Sequence, residues 1–385
     1  MLEKVFQGSR KYWAWVIFLC AIIFIATLFY LRQFEEGLGI TGLSRDVSWG
    51  LYIAQFTFLV GVAASAVMVV LPYYLHDYKK FAKITILGEF LAIGSVIMCM
   101  TFIFVDMGQP IRIINVFLYP SLKSPMFWDS VSLAGYLFLN LLIGFIALES
   151  ERKGVKPPAW IKPIIIISIP WAVSIHTVTA FLYCGLAARP FWMSAIMAPR
   201  FLATAFAAGP ALLIILCMII RKISNFNVGK EPLQKLAVIA TYAMLLNVFF
   251  LSLEMFTSFY SGIHEHALHF EFLYFGLDGN TSLVPWMWIS TILAVLALIF
   301  LLIPKIRKNE KLLLWASIFV FLSIWLDKGL GMIVAGFTPN PLGYVIEYMP
   351  TFPELMISLG IFALGTLIIT LLYKLTLTVR RELKS

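Results

Sequence analysis

The stretch that decides the fold is YWAWVIFLCAIIFIATLFYL, residues Tyr12 to Leu31, in which no charged residue occurs. An apolar segment of about 20 residues is long enough to cross the hydrocarbon core of a bilayer as a helix. It follows the basic residues Lys4, Arg10 and Lys11. It is too long for the core of a signal peptide, and no small-x-small cleavage site follows it. We therefore predict a retained anchor helix.

Nine further apolar stretches of similar length follow along the chain. In lipid, the backbone amide and carbonyl groups must be satisfied within each segment, so these stretches predict helices. The alternating pattern of a membrane β-barrel does not occur. The predicted fold class is an all-α integral membrane protein with about ten spans. The predicted spans are 12–31, 49–75, 83–106, 127–148, 161–186, 200–220, 235–261, 283–303, 312–336 and 354–375.

The composition agrees with this fold class and indicates the orientation. Hydrophobic residues make up 61% of the chain and charged residues 13%, whereas a soluble domain is about half apolar and a quarter charged. The net charge of +9 does not indicate nucleic-acid binding, because the basic residues lie in short connections between the apolar stretches. Of 29 Lys and Arg residues, 22 lie on one side of the predicted bilayer and six on the other, with Lys328 inside a span. The positive-inside rule then places both termini in the cytoplasm.

Spans two to five and spans six to nine show a faint internal repeat. Span four begins near SPMFW at residues 124–128, and span eight begins near VPWMW at residues 284–288. Chance similarity would explain the same matches, but a duplication predicts two four-helix bundles flanked by the first and last spans. The predicted units are an N-terminal anchor and loop at 1–48, a first bundle at 49–190, a second bundle at 191–340, and a last helix with its tail at 341–385.

Ionisable residues at membrane depth are costly, and they are therefore candidates for function. His176 lies deep in span five, while Asp106 and Asp129 lie at the neighbouring ends of spans three and four, and Gln55 lies near the same level in span two. A quinol needs apolar walls and groups that exchange protons with its two oxygens. We therefore predict a quinone pocket where His176 works with Asp106 or Asp129. An interhelical hydrogen bond without chemistry remains the alternative for His176.

Three further acids lie within the spans, namely Glu89, Glu254 and Asp327. They are compatible with a proton path or with pairing between helices. They motivate a second hypothesis, a proton- or ion-translocating module or a secondary transporter, although alternating access would need charged sites near the midplane. The third hypothesis is an inert anchor for a catalytic subunit. It predicts that spans two to five enclose no cavity of quinone size.

The sequence offers few ligands for a resident redox cofactor. The four cysteines lie in apolar stretches without CxxC spacing, and two b-type haems would need four histidines within the helices. Of the five histidines only His176 lies in the interior of a span, and His264, His266 and His269 fall in a connection predicted to be solvated. We predict no haem, iron–sulfur cluster or metal in this chain, so that electrons leave through a docked partner.

Several motifs resemble the NrfD/polysulfide reductase family of membrane subunits. The most specific are DMGQP at 106–110 and SPMFWD at 124–129, and further matches are WGLYIA at 49–54, HTVTAF at 176–181 and PE at 353–354. The resemblance extends over nearly the whole chain. It is strongest to the DsrP/HmeB-type menaquinol oxidoreductase subunits of sulfate and sulfur metabolism.

The resemblance implies a respiratory subunit in the cytoplasmic membrane of a prokaryote, active only within its complex. It implies a menaquinone or menaquinol site near the outer face of the first bundle. It also implies a ferredoxin-like iron–sulfur subunit docked on that face and, in larger complexes, a multihaem cytochrome c, a haem b membrane subunit and a cytoplasmic iron–sulfur catalytic subunit. The residues that match or suit the quinone site are Tyr52, Gln55, Asp106, Arg112, Trp128, Asp129 and His176.

Overall fold

The computed structural model describes residues 2–63, 65–74, 76, 78–224 and 226–382. Within these residues the structure contains ten helices long and apolar enough to cross a membrane, as predicted, and no β-structure beyond an isolated bridge. Residues 64 and 75 of the second predicted span, and Lys384 of the basic tail, lie outside the described residues. In chain order, spans 1 to 10 are Arg10–Glu36, Leu51–Tyr74, Ala82–Asp106, Pro125–Lys153, Ile161–Cys184, Met197–Ser224, Lys230–Tyr260, Val284–Leu302, Glu310–Ala335 and Phe352–Glu382.

Spans 2 and 9 are less regular than their apolar stretches predicted. Span 2 consists of two helices, Leu51–Ala63 and Val67–Tyr74. Span 9 begins as the α-helix Glu310–Ile324, continues as a π-helical segment, Trp325–Gly331, and ends with Met332–Ala335. Hydropathy does not distinguish a π-helix from an α-helix. A π-helical turn within a longer helix is rare and frequently occurs at a functional site.

The spans pack in two groups of four. In the first bundle, spans 2 to 5, span 4 lies between spans 3 and 5, and span 2 contacts both of these outer helices. In the second bundle, spans 6 to 9, span 6 contacts spans 7 and 9, and span 8 contacts the same two helices. The bundles meet through spans 2, 5, 6 and 9. Spans 1 and 10 pair with each other, and span 10 packs against span 3.

The two ends of the chain lie on the same side of the molecule. Trp15 at the start of span 1 donates from its indole Nε1 to the hydroxyl of Thr370 near the end of span 10, at 3.3 Å. We name the side of the chain ends the basic side. The opposite, long-loop side carries the connections 37–50, 107–124, 185–196 and 261–283 together with the connection before span 10. The cytoplasmic location of the basic side remains a prediction from the charge distribution.

The connection between spans 7 and 8 is not the solvated loop that its histidines suggested. It contains a helix, His264–Tyr274, and His269 in this helix is 2% exposed. The Nδ1 of His269 donates to the carbonyl oxygens of Ala335 at 2.7 Å and Thr338 at 3.0 Å. Burial lowers the pKa of His269 below its usual value. The prediction was wrong for this residue because its backbone partners are distant in the sequence.

Candidate functional site

The candidate site is built on one face of span 5, which we name the span 5 face. His176, Thr179 and Tyr183 lie at positions i, i+3 and i+7, so their side chains project from the same side of the helix. All three are completely buried, whereas Phe181 between them is 54% exposed. Span 5 therefore directs these three polar side chains toward the interior and Phe181 outward, a difference that the hydropathy of the segment does not show.

His176 has unmet hydrogen-bonding capacity. Its side chain is completely buried, and neither ring nitrogen has a hydrogen-bond partner among the described residues. Buried polar groups in proteins are normally paired with protein atoms or with ordered water. A neutral imidazole presents one N–H donor and one acceptor nitrogen. The ring can therefore bind a further group that offers an oxygen atom.

Asp129 of span 4 reaches the span 5 face through Thr179. The hydroxyl of Thr179 lies 2.6 Å from Oδ1 of Asp129 and 2.7 Å from the carbonyl oxygen of Ile175. Asp129 is 3% exposed, so its carboxyl group is enclosed by protein. Thr179 lies one turn after His176, so the carboxyl group that it binds is attached to the same face of span 5 as the imidazole. The sequence predicted the acid and the imidazole but not the hydroxyl that positions the acid.

Asp106 and Tyr52 form a second polar cluster, at the long-loop ends of spans 3 and 2. The hydroxyl of Tyr52 donates to Oε1 of Gln33 at 2.8 Å, and Nε2 of Gln33 donates to the carbonyl oxygen of Val105 at 2.6 Å. Oδ1 of Asp106 is buried without a partner in the described part of the chain. Gln33 belongs to span 1 and was not predicted as a site residue.

Glu354 at the start of span 10 binds backbone N–H groups of the long connections on the same side of the molecule. Its Oε2 accepts hydrogen bonds from the N–H groups of Gly42 at 2.6 Å and Thr351 at 2.9 Å. Its Oε1 accepts from the hydroxyl of Tyr348 at 2.8 Å, and that hydroxyl accepts from the N–H of Leu51 at 2.7 Å. One carboxylate therefore joins the start of span 2 to two of the long connections.

Replacing Glu354 with alanine is expected to loosen these connections. The change leaves buried donors unpaired, which costs about 1–3 kcal/mol and corresponds to roughly ten- to hundredfold faster amide hydrogen exchange at Gly42 and Thr351. Hydrogen exchange followed by mass spectrometry measures this effect. Glu347→Ala is the matched control, because Glu347 lies in the same connection and is not buried. Equal protection of both segments in the two variants would contradict the role of Glu354.

Three further predicted site residues have hydrogen-bond partners or surroundings outside span 5. Oε1 of Gln55 accepts from Nε1 of Trp325 in span 9 at 2.7 Å. Trp128 is 45% exposed, and its Nε1 donates to the carbonyl oxygen of Leu122 at 2.8 Å. Arg112 is exposed in the connection after span 3. Their contacts with a quinone therefore remain predictions.

The second bundle contains a buried ion-pair network centred on Arg200 of span 6. Its Nη1 donates to Oε2 of Glu254 at 2.7 Å, and its Nη2 lies 2.9 and 2.7 Å from the two oxygens of Asp327. Arg200 is 6% exposed. Arg200 is the first residue of the predicted span 200–220, and the charge count places it among the six basic residues of the long-loop side. Glu254 and Asp327 thus share one cation, which is the interhelical pairing foreseen as an alternative to a proton path.

A cleft of about 280 Å³ lies beside this network, within the second bundle. Its volume is near the lower end of small-molecule sites, which begin at about 300 Å³. The predicted quinone pocket lies instead in the first bundle. The cleft is lined by Phe191, Met193, Arg200, Glu254, Ser258 and His266, among other residues.

The comparison with protein families agrees with the motifs. The model of the family described as "Polysulphide reductase, NrfD" matches residues 39–337, which include both bundles. The chain belongs to the NrfD family. The resemblance stated from the motifs around the connection 107–124 is thereby confirmed.

Three curated relatives of this NrfD-family chain align along almost its whole length. A putative dimethyl sulfoxide reductase membrane subunit of Halobacterium salinarum is 25% identical, over 92% of this chain and 89% of its own. The Hdr-like menaquinol oxidoreductase integral membrane subunit of Archaeoglobus fulgidus is 22% identical, over 97% and 95%. The menaquinone reductase integral membrane subunit of Nitratidesulfovibrio vulgaris is 20% identical, over 94% and 91%. All three names describe the membrane subunit of a redox enzyme, and the substrate that each name gives for the enzyme differs.

One further buried acid of the NrfD-family chain lies toward the basic side of span 3. Glu89 is 1% exposed, and both of its carboxyl oxygens lack a partner within the ranges that the structure describes. A Cβ atom at Gly144 of span 4 would lie 3.3 Å from Oε2 of Glu89. The ring of Phe90 would lie closer still, at 2.8 Å, so the glycine leaves space between spans 3 and 4 for this ring and for the carboxyl group beside it.

Proposed function

We propose that this NrfD-family chain is the quinone-interacting membrane subunit of a respiratory oxidoreductase complex, and that it exchanges protons with menaquinol or menaquinone at the span 5 face. The observation that carries the proposal is the completely buried imidazole of His176, whose two nitrogens lack partners within the described ranges. Two relatives of similar length are named as membrane subunits of a menaquinol oxidoreductase and of a menaquinone reductase, which supports it.

The residues of the span 5 face suit the chemistry of a quinone. A bound quinone supplies two-electron, two-proton chemistry at the two oxygens of its ring. The neutral imidazole of His176 donates an N–H to a carbonyl oxygen or accepts from a hydroxyl group, because one ring nitrogen carries a hydrogen and the other carries a lone pair. Thr179 holds the carboxyl group of Asp129 one turn away, where it can take the proton onward.

The long-loop side is the proposed docking side for the electron-transfer partner. The span 5 face lies in the half of span 5 nearer that side, and the connection 107–124 carries exposed apolar side chains such as Ile111, at 74%, and Tyr119, at 78%. We propose that a ferredoxin-like iron–sulfur subunit binds there. In a larger assembly, a multihaem cytochrome c, a haem b membrane subunit and a cytoplasmic iron–sulfur catalytic subunit would complete the electron path. The proposed location is the cytoplasmic membrane of a prokaryote, and a role in sulfur or sulfate metabolism is part of the proposal.

Direct binding of a quinone analogue tests the proposed function. The full chain in lipid nanodiscs is titrated with heptylhydroxyquinoline N-oxide, whose fluorescence is quenched when a quinone site binds it. We expect saturable quenching that a short-chain menaquinone reverses by competition. Empty nanodiscs of the same lipid provide the control for partitioning into the bilayer. Quenching no greater than in empty nanodiscs would contradict the proposal and favour the inert-anchor hypothesis.

A proton path is a second candidate function, favoured by one observation. Glu89 retains two unpaired carboxyl oxygens in the described structure, whereas Glu254 and Asp327 are both bound by Arg200. We therefore keep Glu89 as the proposed proton-path residue and assign the other two acids a stabilising role. A path from the basic side through Glu89 would deliver protons to the quinone site or remove them from it.

A further inference from the structure

Lys328 in the π-helical segment of span 9 is a buried cation without an anion. It is 3% exposed, and its ammonium nitrogen has no hydrogen-bond partner among the described residues. The neighbouring Asp327 does not compensate it, because both Asp327 oxygens are bound by Arg200. A buried charge is costly unless it is paired and hydrogen bonded. The amino group of Lys328 therefore has unmet capacity to donate a hydrogen bond to an oxygen atom of a further group.

The side chain of Lys328 lies between span 6 of its own bundle and span 2 of the first bundle. The ammonium nitrogen lies 3.9 Å from the centroid of the Phe201 ring, and a Cβ atom at Gly61 of span 2 would lie 3.5 Å from it. The π-helical segment contacts span 2 at Trp325, which donates to Gln55, and at Gly329, where a Cβ atom would lie 3.3 Å from the carbonyl oxygen of Ala54. Lys328 thus enters the boundary between the bundles, while Asp327 stays within the second.

The span 5 face reaches this boundary from the other side. The ring of Tyr183 lies 5.9 Å from the ring of Phe201, against which Lys328 packs, and the Tyr183 hydroxyl is hydrogen bonded to Thr57 of span 2. The imidazole of His176 projects from the same face of span 5, two turns before Tyr183. Two buried side chains with unmet hydrogen-bonding capacity, one from each bundle, therefore line the same boundary.

We propose that Lys328 is a second binding residue for the quinone, so that the site lies between the bundles and span 9 completes it. Lys328 donates a hydrogen bond to one carbonyl oxygen of the head group, and His176 binds the other. The proposal rests on the proposed function and adds a residue outside the first bundle. It also explains why an ammonium group is tolerated at this depth, since a ligand oxygen satisfies it.

The test compares Lys328→Met with Lys374→Met in the full chain in lipid nanodiscs. Lys374 is the matched control, because it also lies within a span, packs over an aromatic ring, and is located near the basic side. Hydrogen bonds from charged groups predict about ten- to hundredfold weaker binding of heptylhydroxyquinoline N-oxide by Lys328→Met and unchanged binding by Lys374→Met. If the wild type binds the probe and Lys328→Met binds it equally, the inference is overturned and the proposed function stands. If the wild-type protein does not bind the probe, both the inference and the proposed function are overturned.

A second pair of variants retains Lys328 and keeps the test decisive if Lys328→Met does not fold. Gly61→Ser introduces a hydroxyl group that can accept from the Lys328 ammonium, whereas Gly61→Ala introduces the same Cβ atom without it. A Cβ atom at Gly61 makes only ordinary contacts, at 3.5 Å or more, so the Cβ atom that both variants add fits the packing. We expect Gly61→Ser to bind the probe about tenfold more weakly than Gly61→Ala. If Lys328 contacts only water and not the probe, the two variants bind the probe equally. That result overturns the inference.

Discussion

Replacing His176 with alanine is expected to reduce quinol-linked electron transfer by about 100-fold or more while the protein remains folded. A positioned proton-transfer group contributes about 10²–10⁴-fold to the rate, and the structure places no other imidazole on the span 5 face among the described residues. The substitution also removes a buried polar group without a protein partner, so it leaves no new unpaired donor behind. Turnover is measured on the purified complex with a menaquinol analogue as donor.

The control for this prediction is His264→Ala. His264 is exposed at the start of the helix His264–Tyr274, so its removal leaves the span 5 face unchanged. Monodisperse elution of both variants shows that the chain and its complex are intact. If His176→Ala is assembled and turns over at the wild-type rate, then His176 takes no part in the proton chemistry.

The second large effect is expected at Arg200, on stability rather than on turnover. Arg200→Met leaves Glu254 and Asp327 buried without a cation, and breaking a buried ion pair in this way costs about 3–5 kcal/mol. The free energy of unfolding is measured by denaturant titration in mixed micelles. Arg221→Met is the matched control, since Arg221 pairs with Glu310 at the same distance of 2.7 Å but is 31% exposed. Arg221→Met should lower the free energy of unfolding by only about 0–1 kcal/mol.

A triple variant separates the charge effect from the loss of packing. Arg200→Met combined with Glu254→Gln and Asp327→Asn removes all three charges, and buried pairs replaced by neutral groups of similar volume are often close to neutral in stability. We expect the triple variant to recover most of the stability that Arg200→Met loses. If it is as unstable as the single variant, the network acts through packing and not through charge.

Most of the fold follows from hydropathy. Apolar stretches such as Tyr12 to Leu31 predicted all ten spans, because lipid requires helices of this length. The division of span 2 into two helices, the π-helical segment Trp325–Gly331 and the burial of His269 were not predicted. The burial of His269 depends on carbonyl groups far away in the sequence, which leave no periodic pattern in its own helix.

Some residues of the candidate site and of the buried ion-pair network were predicted from the sequence, and others were missed. His176 and Asp129 were predicted because a polar group at membrane depth is costly, and each is buried. Arg200 was missed because a basic residue at the edge of an apolar stretch is usually part of a connection. The role of Thr179 was missed because threonines are common in helices, and only the structure shows its hydroxyl at 2.6 Å from a carboxyl oxygen.

The region shared with the NrfD family ends at residue 337, before Glu354, and begins at residue 39, after Gln33. Nevertheless, Gln33 accepts a hydrogen bond from the hydroxyl of Tyr52. Glu354 accepts from the hydroxyl of Tyr348, which in turn accepts from the N–H of the first residue of span 2. The polar groups at the long-loop end of span 2 therefore depend on contacts with span 1 and with the start of span 10, which lie outside the matched residues. A truncation to residues 39–337 would remove the acceptors of the Tyr52 hydroxyl and of the Leu51 N–H, and lipid offers no replacement for them.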